Sequence, residues 1–325
     1  MTGGAGFIGY HLAKNLVEHG YRVDLVDNLA RGVRDTDLEA VASLDSVRLL
    51  DRDLLTPDSL ADASTDYFYI FHLAAIVGVA HVLSRPYAVL HDNATMLASA
   101  IDCARRQEQL HRLVFTSTSE VYAGTLQHFG LPLPTPESTP LALPDLGEAR
   151  TCYMLSKIYG EAACHHAGVP FTILRPHNVY GPRMGLAHVV PELLQRAHEA
   201  VDNDVFEVFS IEHRRTFCYV DDAVEILRRA AESSACDGQT LNLGVQAPEI
   251  PIRELAELVL DVVGKRLRIV AAPDAPGSPP RRCPDMRRTT ELTSYEPRIP
   301  LREGVERTYA WYGANVFAGS GVFSH

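Results

Sequence analysis

A doubly wound α/β fold, with a parallel sheet covered by helices on both faces, is predicted by three features of this 325-residue chain. Gly3, Gly6 and Gly9 form a glycine fingerprint that opens directly into apolar residues at helical spacing. A second apolar run ends at an acid, Asp27, about twenty residues after the fingerprint begins. From there to residue 175, strand-like apolar runs alternate with helical stretches, the pattern of a parallel sheet with crossover helices.

The fingerprint predicts a dinucleotide cradle. Its first glycine permits a tight turn, its second lets backbone approach a pyrophosphate, and its third lets a helix pack close to the sheet. The pyrophosphate is expected over residues 3–7, with Phe7, Ile8 and Gly9 forming the first helical turn beneath it. Asp27, followed by Asn28, is placed to accept both ribose hydroxyls of an adenosine, which argues for NAD over NADP. A fingerprint of this kind follows a buried strand of about five residues, yet only Met1 and Thr2 precede it. Either that strand lies in a segment missing from this sequence or the sheet is built without it. A truncated start is the expectation, because removing a central strand would leave its neighbours' backbone groups unpaired.

The remaining elements follow in order. Residues 7–18 read as a helix with Gly20 at its C-terminal cap. Residues 47–50 read as a strand, after which Asp53 and Leu54 are placed to flank an adenine ring. The strand beginning at Tyr69 runs into Leu73, Ala74 and Ala75, small enough as a group for a cofactor to lie close. A helix is predicted over 93–106 and a strand over 112–116 that runs into a polar end, where ligands of open α/β sheets bind. Residues 124–150, rich in Pro, Leu and Thr, predict a long loop over the site. A helix over 153–167 and a strand over 170–175 complete the alternation. Beyond it, helices near 188–200, 221–233 and 252–264 are interleaved with strands at 240–243 and 266–270. The proline-rich, arginine-bearing stretch 273–284 is expected to fold over a ligand.

Composition narrows the function. Hydrophobic residues at 46% and charged residues at 22% are those of an ordinary globular protein. A net charge of −11 argues against nucleic acid as a partner. No apolar stretch reaches the roughly 18 residues of a membrane span, and a cytoplasmic location without membrane association is expected. Six cysteines scattered without CxxC spacing predict reduced thiols and no metal site. His72 and the pair His165 and His166 lack ligands at metal-binding spacing and are expected to be structural. Ser117 and Ser119 have no nucleophile-elbow glycines around them, which sets hydrolysis aside.

Tyr153 and Lys157 stand four apart on a predicted helix and therefore share a face. A tyrosine ionises near pH 10, and an adjacent ammonium together with a nicotinamide cation would favour its phenolate as a base. The pair alone is common on amphipathic helices.

Taken together, the motifs resemble the extended short-chain dehydrogenase/reductase family, in its branch of nucleotide-sugar epimerases, dehydratases and decarboxylases. They are Thr2-Gly-Gly-Ala-Gly-Phe-Ile-Gly9, Asp27-Asn28, His72-Leu-Ala-Ala75, Thr116-Ser-Thr-Ser-Glu-Val-Tyr122, Tyr153-Met-Leu-Ser-Lys157, Arg175-Pro-His-Asn-Val-Tyr-Gly-Pro-Arg183 and Arg215-Thr-Phe-Cys-Tyr-Val-Asp-Asp222. The resemblance implies a Rossmann domain over 1–175 that binds NAD, joined by the strand near 240–243, and a smaller lobe, mainly 176–325, for a nucleoside-diphosphate sugar. It implies Tyr153 as the base, Lys157 as the residue that lowers its pKa and holds the nicotinamide ribose, and Thr118 as a partner of the reacting sugar hydroxyl. Asn178 is implied as a phosphate contact, and Arg215 and Arg282 as arginines reaching the pyrophosphate or the sugar. Arg282 stands equally well on a solvated loop. A homodimer is implied through a four-helix bundle of the helices near 93–106 and 153–167, with Ala162, Ala163 and Ala167 allowing close packing or simply fitting their own sheet.

The reading that follows is an NAD-dependent enzyme that oxidises sugar carbon 4 and acts on the 4-keto intermediate as an epimerase or dehydratase. A UDP-glucuronate decarboxylase is the alternative. Many 4,6-dehydratases carry Thr-Asp-Glu where this chain has Thr118-Ser119-Glu120, a pattern also seen in UDP-glucuronate decarboxylases and GDP-mannose-type dehydratases. Glu120 remains available as a base, which a simple epimerase would not need. A non-catalytic NAD-binding regulator is the rival from another class, and the presence of Thr118, Tyr153 and Lys157 argues against it.

Overall fold

The computed structural model describes residues 1–274 and 278–318, and the chain divides into two compact units. The first comprises Met1–Pro176, Val224–Leu243 and Asp285–Glu296. Its sheet is parallel throughout. Strand Val47–Asp51 pairs with Val23–Asp27 on one side, and Tyr69–His72, Arg112–Thr116, Phe171–Pro176 and Gln239–Leu243 follow in spatial order on the other. The two halves meet at Thr2, which bridges Val26 and His72 in parallel sense. Among the described residues, Thr2 alone holds that position. Its amide donates to the Phe71 carbonyl at 2.9 Å, and the Gly3 amide donates to Val26 at 2.8 Å.

Strands Tyr69–His72, Arg112–Thr116 and Phe171–Pro176 in the middle of the sheet are buried on both faces, as apolar runs in a parallel sheet should be. Val26, Ile70, Leu113, Phe115 and Ile173 enter one cluster with Met96, Leu97, Ile101 and Cys164 from helices Pro86–Arg105 and Ala149–His166. Their neighbours Leu25, Val114 and Leu174 are fully buried too and, by strand alternation, point to the opposite face. Residues 124–150 are not wholly loop, since Ala123–Phe129 is a helix ended by Gly130 at φ 75°. Of the three alanines expected at a dimer interface, Ala167 is buried in this core and Ala163 packs against it, leaving only Ala162 exposed.

His72, at the end of its strand, is fully buried and shares a 2.8 Å hydrogen bond with the Thr2 hydroxyl. Burial, reinforced by the Lys157 charge, pushes its pKa down to about 3, so it is a neutral structural histidine. The unfolded chain takes up this proton near pH 6.5, whereas the folded chain does not until about pH 3. Stability is therefore lost as pH falls, by about 1.4 kcal/mol per unit between roughly pH 6 and 4. Denaturant titrations of His72→Gln should show a flatter dependence over that range; equal slopes would exclude this account.

The second unit comprises His177–Ala223, Gly244–Pro284 and Pro297 onward. Helices Val189–Glu199, Ile252–Val263 and Leu301–Tyr312 pack together, and Gly264 ends the middle one in a left-handed conformation. Three small sheets accompany them: Val205–Val208 with Arg268–Ala271, Val179–Tyr180 with Cys218–Tyr219, and a three-stranded one in which Arg214–Arg215 lies between Ile250–Pro251 and Arg281–Arg282. Residues 275–277 of the expected ligand-covering stretch lie outside the described residues. No helix among the described residues is long and apolar enough to cross a membrane.

Candidate active site

The glycine fingerprint sits at the carboxyl ends of the first unit's strands. Gly3 adopts φ +69°, and a Cβ there would stand 2.7 Å from the Ala74 nitrogen, so this glycine draws the Leu73–Ala75 stretch against the turn. A Cβ on Gly9 would stand 2.1 Å from the Gly3 carbonyl oxygen. Gly6 meets only that oxygen, at 3.3 Å, and caps helix Phe7–Glu18 with no side chain. The helix thus presents the amides of its first turn, including Phe7 and Ile8, to an anion. Gly32 was not singled out by sequence: a Cβ on it would fall 2.6 Å from Ala5 Cβ and 3.1 Å from Asp27 Oδ1. Its only signal was its place at the end of the loop after Asp27.

Asp27 closes its strand beside the cradle. Its carboxylate accepts the Ala5 amide at 3.0 Å and the Leu29 amide at 2.9 Å. Burial raises its pKa, and these two hydrogen bonds oppose the rise. Asn28 turns back to accept the Ala30 amide at 3.1 Å. Asp53 is exposed and accepts the Leu55 amide, whereas Leu54 is buried in the core cluster with Val26 and Ile70 and is not presented as a flank for a ring. A cradle that excludes Cβ atoms, a helix start without a side-chain cap and an acid at the end of the next strand fit an adenine dinucleotide. Asp27→Ala should weaken NAD binding about tenfold or more by calorimetry, in line with loss of hydrogen bonds to a charged group; unchanged affinity would remove Asp27 from the ribose.

The chemistry-bearing side chains converge on helix Ala149–His166, where Tyr153, Lys157 and Glu161 are spaced by four. Lys157 is buried, donates to the Thr116 carbonyl at 2.9 Å and lies 5.0 Å from the Phe115 ring centroid. Burial lowers its pKa to about 8. Strand Arg112–Thr116 then leads through Ser117 to Thr118, extended at φ −161°, whose hydroxyl oxygen accepts the Glu120 amide and caps the turn Ser119–Tyr122. Within that turn Ser119 is buried and Glu120 half-buried.

Tyr153 is half-buried, and its phenol is raised above its ordinary pKa, first by burial and then by the negative charge of Glu120. The nearby Thr118 hydroxyl and the positive charge of Arg31 act the other way. The Lys157 ammonium donates to Thr116 and lies 6.0 Å from the Tyr153 ring centroid. The cation that favours the phenolate is Arg31, which donates to the Val77 carbonyl at 2.9 Å. Nothing in the sequence around Arg31 marks it out.

The residues expected to hold substrate belong to the second unit. Arg215 and Arg282 are register partners across two parallel strands, so their side chains leave the same face of that sheet. The Arg215 guanidinium is buried and donates to the Ser278 hydroxyl at 2.9 Å and the Pro279 carbonyl at 2.5 Å. Asn178, in the left-handed region at φ 43°, donates its side-chain amide to the Thr216 carbonyl at 2.9 Å. These three residues are thereby gathered around residues 215–216.

A sequence model of the NAD dependent epimerase/dehydratase family matches residues 1–244. The chain belongs to that family. It is an NAD-dependent enzyme of this group. Along its length it is similar to a UDP-N-acetyl-alpha-D-glucosaminuronate decarboxylase of Bacillus cytotoxicus, 28% identical over 96% of this chain and 96% of the relative. It is 32% identical to UDP-glucuronic acid decarboxylase 1 of Arabidopsis thaliana over 94% of this chain and 68% of the relative. Among solved structures, UDP-glucose 4-epimerase from Thermotoga maritima superposes with a TM-score of 0.83 at 26% identity, covering 97% of this chain and 98% of the epimerase. The Rossmann architecture follows from that likeness and from the parallel sheet itself.

Proposed function

We propose that this family member decarboxylates a UDP-hexuronic acid. Read alone, the sequence puts epimerisation or dehydration first; likeness over at least 94% of this chain to two UDP-hexuronate decarboxylases reverses that order and is the observation that carries the proposal. Bound NAD supplies the acceptor, and later the donor, of the carbon-4 hydride. Tyr153 takes the proton of the carbon-4 hydroxyl, with Thr118 orienting it. Oxidation at carbon 4 makes the carbon-6 carboxylate a β-keto acid, whose C5–C6 bond breaks with its electron pair passing into the carbonyl as carbon dioxide leaves. Carbon 5 then takes up one proton, and reduction at carbon 4 gives a UDP-pentose. No carbon-5 proton is removed on this route, so Glu120 is assigned to proton delivery there and not to abstraction. Lys157, held on Thr116, is assigned to the nicotinamide ribose, and Arg215, Arg282 and Asn178 to the anionic groups of the substrate.

Incubation with UDP-glucuronic acid and its 2-acetamido counterpart, read by product mass, tests the proposal. Loss of carbon dioxide is expected with one of them. Loss of water, or an unchanged mass with inverted carbon-4 stereochemistry, would overturn it. Because Glu120 raises the phenol, Glu120→Gln should also shift the rising limb of the pH–rate profile to lower pH.

We infer a homodimer assembled through helices Pro86–Arg105 and Ala149–His166, and a cytoplasmic location. Tyr87 and Tyr159, 75% and 52% exposed on these helices, support the assembly as large apolar side chains on the outside of the first unit. Light scattering at micromolar concentration should give twice the chain mass, and a monomer would end this reading.

A further inference from the structure

Behind the candidate catalytic residues lies a buried polar network that the proposed chemistry does not use. Glu161 and Arg175, 6% and 4% exposed, form a two-pronged ion pair, with Arg175 Nε to Glu161 Oε1 at 2.9 Å and Nη2 to Oε2 at 2.6 Å. The Ser117 hydroxyl donates to Glu161 Oε1 at 2.6 Å. On the other side, Arg175 Nη1 donates to the Tyr122 hydroxyl at 2.8 Å, and its guanidinium lies 4.9 Å from the Tyr122 ring centroid. Tyr122 in turn donates to Asn242 Oδ1 at 3.0 Å, and Asn242 is held by the Thr135 and Asp285 carbonyls and by Glu137.

The topology of these contacts is specific. Ser117 and Tyr122 bracket the short segment that carries Thr118, Ser119 and Glu120, and both are tied to one ion pair. Glu161 stands on the helix that carries Tyr153 and Lys157, in the same i, i+4, i+8 stripe. Arg175 is the last residue but one of the strand paired to the one from which Ser117 emerges, since Thr116 is in register with Leu174 and the Ser117 amide donates to the Leu174 carbonyl at 2.7 Å. A buried ion pair is weak as a source of stability, because desolvation cancels much of its attraction, but it is directional where apolar packing is not. Its contribution here is to geometry.

We propose that Glu161 and Arg175 are positioning residues, which clamp both ends of the 117–122 segment to the Tyr153 helix and so fix Thr118 relative to the phenol. The proposal rests on the reading of Tyr153 as base and Thr118 as its partner. Removing either charge would leave the other buried and alone and threatens folding, so the test uses the two hydroxyl anchors, Ser117→Ala and Tyr122→Phe, and their combination.

Each variant should melt within a few degrees of wild type and bind NAD within about threefold. With the accepted UDP-hexuronic acid, each should lower kcat about tenfold and change KM less than threefold, since the loss is of alignment at the reacting centre. In a Thr118→Ala background the same substitutions should lower kcat by less than twofold, because the group they aim is gone; a brace for the fold alone would not show that dependence. A second readout needs no substrate. With ¹³Cζ-labelled tyrosine in the NAD complex, the Tyr153 resonance, identified by its loss in Tyr153→Phe, should move in the double variant in the direction that Thr118→Ala moves it. If wild type turns over no acidic UDP sugar, the functional reading falls and the resonance decides the positioning role by itself. An unmoved Tyr153 resonance in a folded double variant, or equal kcat losses with and without Thr118, would overturn the proposal.

Discussion

Tyr153→Phe is expected to lower turnover by about 10³–10⁴-fold, at the upper end of what general-base catalysis supplies, while the protein stays folded and binds NAD and nucleotide sugar. The substitution deletes one hydroxyl from a half-buried side chain, so the stability effect is small beside the kinetic one. The size of the kinetic effect follows from how the phenol is surrounded. Burial and Glu120 hold it in the protonated form, and only the Thr118 hydroxyl and Arg31 favour the phenolate. A tyrosine kept so far from ionisation is useful as a base only where positive charge is added beside it, and bound oxidised nicotinamide brings such a charge. Arg31→Ala should accordingly move the rising limb of the pH–rate profile upward, since removing a cation raises the phenol further. Near-normal turnover by Tyr153→Phe on the true substrate would rule out the tyrosine-base mechanism, whichever hexuronic acid that substrate is.

What the sequence made legible was chemistry set by local spacing. Tyr153 and Lys157 are four apart on one helix, Thr118 lies just beyond a buried strand, and Asp27 ends the strand after the fingerprint, so each could be placed by period and distance along the chain. What stayed hidden depends on contacts between distant segments. Arg31 acts on Tyr153 across more than a hundred residues, and the Ser117, Glu161, Arg175 and Tyr122 network joins two strands' ends, a turn and a helix. No periodicity announces either. The neighbouring positions of Arg215 and Arg282 come from two strands of two residues each, too short for any alternation to be read. The contact of Lys157 stayed hidden for the same reason: spacing puts it on the Tyr153 face, but the Thr116 carbonyl that holds its ammonium lies on a separate strand.

The glycine fingerprint allows the fold and the cofactor to be separated by experiment, because its second and third glycines are constrained to very different degrees by the protein around them. Gly9 lies in the first turn of helix Phe7–Glu18, where alanine would ordinarily be preferred by about 1 kcal/mol on helix propensity. The methyl group would nevertheless fall 2.1 Å from the Gly3 carbonyl oxygen and 2.9 Å from Gly4 Cα, both backbone atoms that cannot swing aside. Overpacking of this kind typically costs about 1–3 kcal/mol, more than propensity returns, so Gly9→Ala should lower the melting temperature by several degrees and weaken NAD binding together. Gly6→Ala meets a single protein atom, the Gly3 oxygen at 3.3 Å, and should melt close to wild type. Its methyl instead enters the space from which the helix amides face a pyrophosphate, so NAD affinity should fall about a hundredfold, close to 3 kcal/mol. Calorimetric titration of both variants, with thermal melts alongside, checks the pair: a Gly6→Ala protein that binds NAD like wild type would mean that the cofactor's phosphates do not lie over this turn.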